Sequence, residues 1–323
     1  MILKRLGALA LAVILIGGAW IIRDRVIDDN GGSSDDDPPR ADREIVCVEA
    51  LREACQAIAE SLEIEIRIED AGVTLDALAA LEQPSSAPIW VTLEPLPAMV
   101  ESLREVAHRE PLVTVQSAVA SSTIALVMQP DRAAVLAAAC SEFDWTCIGQ
   151  AAGDPWEDIG GTGLPGDVRP AFAPIDTAIG LLGVADAVAG YFRDAPIDVN
   201  DGAFLGWARR LGTSAVPQSA LTGGTPIATI QTRRSALDIA VGAEAELSDT
   251  EGSRLTLEYA DPMIRADAVV SVPQGASAPD GLASGLMDLL VTEGNWDPAS
   301  TEPNPLPVAT EMVAIRSVWG QLS

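Results

Sequence analysis

The chain has 323 residues, 48% of them hydrophobic, and a formal charge of −27, enough apolar material for one large or two medium cores and a poor match to a nucleic-acid backbone. Its one lysine, Lys4, lies at the extreme N-terminus, which removes P-loop, Schiff-base and Ser-Lys chemistry from the body of the protein. Its one histidine, His108, excludes two-histidine metal sites, and no GxSxG elbow is present for a histidine triad to serve, so no metal, cofactor or nucleic-acid partner is expected.

Lys4 and Arg5 precede seventeen uncharged residues, Leu6 to Ile22, closed by Arg23, Asp24 and Arg25. That run is just long enough to cross a membrane, and residues 1–25 are read as a single-pass transmembrane signal-anchor. A cleaved signal peptide is the alternative, with Gly17 and Ala19 as small residues at the cut, although Trp20, Ile21 and Ile22 carry the apolar run past it. In both cases the bulk of the chain is expected outside the cell membrane, in an oxidising compartment. Residues 26–43, with "DDNGGSSDDDPPRADR" at their core, bury too little apolar surface to offset ordering and read as an acidic, disordered linker.

From residue 44 short apolar runs alternate with Ala/Leu-rich helical patterns. "EIVCV" is followed by the helical "EALREACQAIAESL", "EIEIRIE" by "TLDALAALE", and "APIWVTL" by "PLPAMVESLREVAHRE". "STIALVMQ", the helical "DRAAVLAAACSEF", "VRPAFAPI" and the buried helix "TAIGLLGVADAVAGYF" continue the theme, followed by helical "DGAFLGWARRLG", strand-like "TPIATIQT", the run "ALDIAVGAEAEL" and strand "RLTLEYA". The end, "ADAVVSVPQG" with helical "DGLASGLMDLLVTEG" and "VATEMVAIRSVWGQL", returns to the pattern of the first unit. The order predicts an α/β fold with a mainly parallel sheet covered on both faces.

Open α/β sheets bind ligands where strands hand over to helix N-termini. Asp176 and Thr177 stand at such a joint, where a short oxygen side chain also serves as an N-cap. Thr92 and Glu94 after "IWV", and Ser121, Ser122 and Thr123 before "IALVM", have comparable placements, with local backbone bonding as the plain alternative. Carboxylate hydrolysis would draw on Glu94, Glu157, Asp158 and Asp176, but 4% aromatic content is thin for a sugar-stacking cleft.

"GGTGLPG" has dinucleotide-loop spacing without the strand and helix that such a loop needs, so it reads as a covering loop. "DVNDG" has the outline of a calcium loop, with Gly202 one place early and Arg209 where a bidentate Glu is required. His108 lies in a charged helical surface pattern. Cys47 with Cys55 and Cys140 with Cys147 fit two local disulfides in an exported chain, with cross-pairing and free thiols as the other options.

"CVEALREACQAIAESL", "APIWVTLEP", "SSTIALVMQP", "APIDTAIGLLGVADAVAGYF", "ALDIAVGAEAEL" and "LEYADPMIRADAVVSVP", taken in order, resemble the extracellular solute-binding proteins of bacterial ABC transporters, of the type 2 periplasmic-binding fold, over residues 44–323. More narrowly it resembles the membrane-attached actinobacterial members, which often carry a von Willebrand A domain after the binding domain, here absent. It implies a solute-binding domain at 44–323 of two α/β lobes joined by two crossing hinge segments, lobe I about 44–118 and 263–323, lobe II about 119–262. It implies non-enzymatic capture of a small solute between the lobes, with Thr92, Ser121, Ser122, Asp176 and Thr177 on the ligand side, for an ABC permease or sensor. Asp176, where an oxyanion binder would carry Ser or Thr, favours a neutral or cationic solute. The other outcome is a domain that has lost ligand binding and contacts envelope proteins.

Overall fold

Ile45–Val48 (β1) is buried at every position and pairs in parallel with Ile66–Glu69 (β2) on one side and Ile89–Leu93 (β3) on the other. A strand covered on both faces needs a continuous apolar run, which "IVCV" and "IWVTL" supply. Arg52–Leu62 (α1) and Ala71–Ala80 (α2) make the two return crossings, and Leu96–Val106 (α3) follows β3. These elements belong to a computed structural model, which describes residues 43–140, 143–193, 195–247 and 255–322. The signal-anchor and nearly all of the linker, residues 1–42, lie outside the described residues, as does Arg254 at the head of the strand expected there. Among the described residues no helix is long and apolar enough to cross a membrane.

Val113–Val115 (β4) precedes the strand that connects the two halves of the sheet. Ala120–Met128 (β5) pairs antiparallel through residues 120–123 with Arg265–Pro273 (β9), and through residues 124–128 with Ile239–Ala243 (β7). One strand is thus shared by both sheet segments, while β9 returns the chain between β3 and β5. The resulting order is β2-β1-β3-β9-β5-β7-β6, with Pro170–Ala171 (β6) parallel to β7, Thr256–Glu258 (β8) and Asp297–Pro298 (β10) on β5, and β4 on β9. The β1, β2, β3 group and the β6/β7 pair are parallel, whereas every ladder made by β5 or β9 is antiparallel. The sheet is therefore mixed where the strands cross, because a chain that leaves one half and comes back must do so in opposite directions.

Helices Pro130–Ala139 (α4), Trp145–Ala151 (α5), Ala178–Phe192 (α6), Gly202–Ser214 (α7) and Pro226–Thr232 (α8) clothe the second half. Leu282–Thr292 (α9) packs on α1, and Ala309–Trp319 (α10) on α3 and α6. Every residue of α6 from Ala178 to Gly190 is buried. Small residues permit this: a Cβ at Gly190 would come within 2.6 Å of Trp145. Asp201 begins α7 by accepting from Ala203 N and Phe204 N at 2.9 and 2.8 Å, while Asp198 accepts from Asn200 N at 3.0 Å, so the acids of "DVNDG" serve a helix cap and the turn before it. "GGTGLPG" closes over the fully buried Trp156, whose backbone N–H donates to Gly166 O. His108 is exposed at the end of α3.

"TPIATIQT" is α8 and not a strand. Thr225 accepts from Ala228 N, Pro226 takes the first turn, and Ile227, Thr229 and Ile230 face inward. Its β-branched content suggested extension, but capping and Pro at the helix start decide the matter.

The cysteines form two local bridges, Cys47–Cys55 between β1 and α1, and Cys140–Cys147 between the ends of α4 and α5. Sequence separations of 8 and 7 close short loops. Removing either bridge by paired Cys→Ser substitution should cost roughly 2–3 kcal/mol in urea denaturation, from restored unfolded-chain entropy. Equal stability of reduced and oxidised protein would contradict this.

Candidate functional site

The carboxyl end of β1 delivers Glu49, the end of β2 delivers Asp70 at the head of α2, and the segment after β6 delivers Asp176 and Thr177 at the head of α6. These joints meet where the two halves face each other. Glu49 stands between two helix starts: its Oε1 accepts from Ala178 N at 2.7 Å and its Oε2 from Ala71 N at 3.0 Å. Burial raises the Glu49 pKa, opposed by the backbone N–H groups that favour its charged form, while Asp70 adds to the rise.

Thr177, not Asp176, is the N-cap of α6: its hydroxyl oxygen accepts from Gly180 N at 3.1 Å and donates to Pro174 O at 2.7 Å. Asp176 is thereby free to face Arg316 of α10, whose Nη2 donates to Asp176 Oδ1 at 2.8 Å. The same guanidinium grips Asp76 of α2 through Nη1 and Nη2 at 2.6 and 2.9 Å. Beside this ion pair a groove of about 530 Å³ opens, walled by Leu75, Met99, Leu103, Pro174, Ile175 and Val313, with Asp76, Asp176 and Arg316 also lining it.

A second acidic group lies along β7 and the crossing strands. Glu246 turns back on Ala243 N at 3.1 Å, and its pKa is pushed up to about 7 by burial, with Glu49 adding to the rise. Glu94 is half-buried and also raised, first by burial and then by Asp267. Tyr259 donates to Glu244 at 2.9 Å. Acids thus recur on both sides of the meeting of the halves, with Arg316 set between Asp76 and Asp176 and Arg265 beside Asp267.

The remaining expected positions serve the crossing strands. Ser121 donates to Asp267 Oδ1 at 2.6 Å, and Asn304 Nδ2 donates to Asp267 Oδ2 at 2.8 Å. Ser122 accepts from Ala245 N at 2.9 Å, and Thr123 pairs with Arg265 across the ladder. Thr92 is fully buried in β3 opposite Val269, and its hydroxyl has no partner among the described residues. Of the expected set, Asp176 and Thr177 lie at the meeting of the halves with Glu94 near the crossing strands, while Ser121 and Ser122 are committed to internal bonds. Glu157 and Asp158 are exposed on a single turn in the second half.

Glu49, Asp76, Arg316 and Glu246 were not among the residues expected at the site. Glu49 had a signal, since it is the first residue past β1, but its place at the front of a helical pattern made it look like ordinary first-turn acid. Arg316 had none, because its partners lie 240 and 140 residues away in the sequence.

No family model and no curated protein matches this chain. Among solved structures it is similar to the ferric binding protein from Campylobacter jejuni, with a TM-score of 0.57 at 9% identity, covering 87% of this chain and 99% of that one. It is similar also to apo ferric ion-binding protein A from Pasteurella haemolytica (TM-score 0.52, 11% identity, 87% and 98% covered). Iron-bound HitA from Pseudomonas aeruginosa gives a TM-score of 0.51 at 13% identity, with 86% and 99% covered. Identities this low speak to fold and not to ligand. No cluster of three or more His, Cys, Asp or Glu side chains is placed to hold a metal ion among the described residues. The crossing strands, the helix starts at the meeting of the halves, and these nearly full-length superpositions together give the chain the two-lobed α/β fold of the periplasmic solute-binding proteins.

Proposed function

We propose that this chain is a cell-envelope solute-binding protein, held at the membrane by its N-terminal apolar segment, that captures a small neutral or cationic solute between its lobes for an ABC transporter or sensor. The observation that carries the reading is the meeting of helix starts from both lobes beside an open groove lined by Asp76 and Asp176. Among the residues that line the groove two acids, Asp76 and Asp176, stand against one cation, Arg316, which disfavours an oxyanion and favours an amine or a neutral hydroxyl-rich solute.

The test is a thermal-shift screen of the full chain in detergent against polyamines, amino acids, sugars and oxyanions, followed by titration calorimetry. A ligand at a hundred times its Kd adds about 2.7 kcal/mol of apparent stability, an easily resolved rise in melting temperature. Amines or neutral solutes should produce it, and Asp176→Ala should weaken binding by roughly tenfold or more. A rise with oxyanions alone would overturn the charge argument.

A second reading has its own observation in favour. The amides of Ala71 and Ala178 are already bonded to Glu49, and Arg316 is already saturated by two carboxylates, so the gap offers few free polar groups to a solute. This suits a solute-binding-like scaffold that contacts envelope proteins, and a screen in which no small molecule raises the melting temperature would favour it. Anchoring is tested separately: the full chain should resist alkaline extraction from membranes and retain its N-terminus by mass, whereas cleavage after Ala19 would release it.

A further inference from the structure

The leading N–H groups of a helix have no intrahelical partner, so in a two-lobed binding fold those that face the gap are donors that a solute can use on closure. Here the chain satisfies them itself. Glu49, on the first lobe, accepts from Ala71 N of its own lobe at 3.0 Å and from Ala178 N of the other at 2.7 Å, so one carboxylate ties together two helix starts. Gly72 N, next along α2, donates to Asp176 O across the gap at 2.7 Å. Arg316 then binds one acid from each lobe, Asp76 and Asp176. Trp319, one turn further along α10, meets Phe172 of the second lobe edge-on, with ring centroids 5.3 Å apart.

We propose that this binding protein is self-closed. Glu49 and Arg316 are its built-in ligands: a carboxylate occupies the partial positive charge of two helix ends, and a guanidinium occupies the space between two acids that would otherwise repel. The lobes rest shut without solute, and a solute enters only when both links have given way. The inference rests on the two-lobed architecture and needs no particular solute, so a negative ligand screen leaves it standing.

Backbone hydrogen exchange of the full, ligand-free chain tests it residue by residue. In a shut gap the amides of Ala71, Gly72 and Ala178 are protected, whereas in an open one they are solvated helix starts and exchange near the free-peptide rate. The expected result is slow exchange at all three in the native chain. The double substitution Glu49→Ala with Arg316→Ala should accelerate them on the order of a hundredfold, while Val46, Val269 and Val270 in the buried strands stay slow and report an intact fold. Glu49→Gln, which leaves one acceptor oxygen and nearly the same volume, should free one of Ala71 and Ala178 with the strands unchanged. Free-peptide exchange at these amides in the native chain, or no acceleration in a folded variant, would overturn the proposal.

Discussion

The melting temperature of this protein should rise as pH falls from about 8 to about 5, and Asp186→Asn should remove a large part of that rise. Asp186 sits in the middle of α6, fully enclosed, with Oδ2 accepting from Trp145 Nε1 at 2.7 Å. Burial pushes its pKa from 3.8 to about 7, against the opposing pull of the Trp145 N–H and the Ile264 backbone. A carboxyl with a raised folded pKa binds its proton more tightly in the native state than in the unfolded chain. Its contribution is therefore complete below the unfolded value and is lost as pH rises through about 7. Within that window the slope is about 1.4 kcal/mol per pH unit for each such group. Glu246, also raised to about 7, acts in the same direction, and so does Glu49. Two such groups would add on the order of 4 kcal/mol between pH 7 and pH 5.5 as an upper bound. Acid also lowers the self-repulsion of a chain with a net charge of −27. Asparagine keeps an acceptor oxygen for Trp145 and has no proton to take up, so Asp186→Asn should show a shallower slope by about one proton. A native melting temperature that falls over this range, or an unchanged slope in Asp186→Asn, would show that Asp186 is ionised in the fold.

How far the sequence revealed this molecule depends on the length scale of the pattern. Strands β1, β3, β5 and β9 were legible because a strand buried on both faces must be a mostly apolar run, and "IVCV", "IWVTL", "IALVM" and "AVVSV" are such runs. Helices α1, α3, α6 and α10 were legible from apolar spacing and composition over three or more turns. The short α8 was not, since seven residues rich in Ile and Thr carry both patterns and only Thr225 and Pro226 mark the helix start. The site was legible as a location and not as a residue set. Asp176 follows from the rule that ligands sit where strands end and helices begin, but its pairing with Arg316 is set by how α10 packs. Ser121 and Ser122 had suitable chemistry at a suitable place and were claimed by Asp267 and Ala245, partners distant in sequence.

Gly180→Ala should be among the most damaging single-methyl additions in the chain, costing on the order of 3 kcal/mol or more. A Cβ there would stand 2.0 Å from Pro174 O and 2.6 Å from Ala173 O, both backbone atoms of the segment that leads into the gap. Neither can rotate away as a side chain would, so the first turn of α6 must shift. That shift also strains the Thr177 cap, whose acceptor bond ends on Gly180 N itself, and moves Ala178 N away from Glu49. Two other glycines separate this cause from a general intolerance of alanine. At Gly183 the added carbon meets a side-chain atom, Val241 Cγ1, at 3.0 Å, which a small repacking accommodates, so the cost should be smaller than at Gly180. At exposed Gly206 in α7 nothing lies within 4 Å, and alanine should stabilise by roughly 0.5–1 kcal/mol through helix propensity. Urea denaturation of the three variants should therefore rank Gly206→Ala above the native chain, Gly183→Ala below it and Gly180→Ala lowest. Hydrogen exchange should find Ala178 unprotected in Gly180→Ala even under conditions where the strands remain folded. A Gly180→Ala protein as stable as the native one would mean that α6 does not begin against Pro174, and with that the placement of Asp176 and the link from Glu49 to the second lobe would both be wrong.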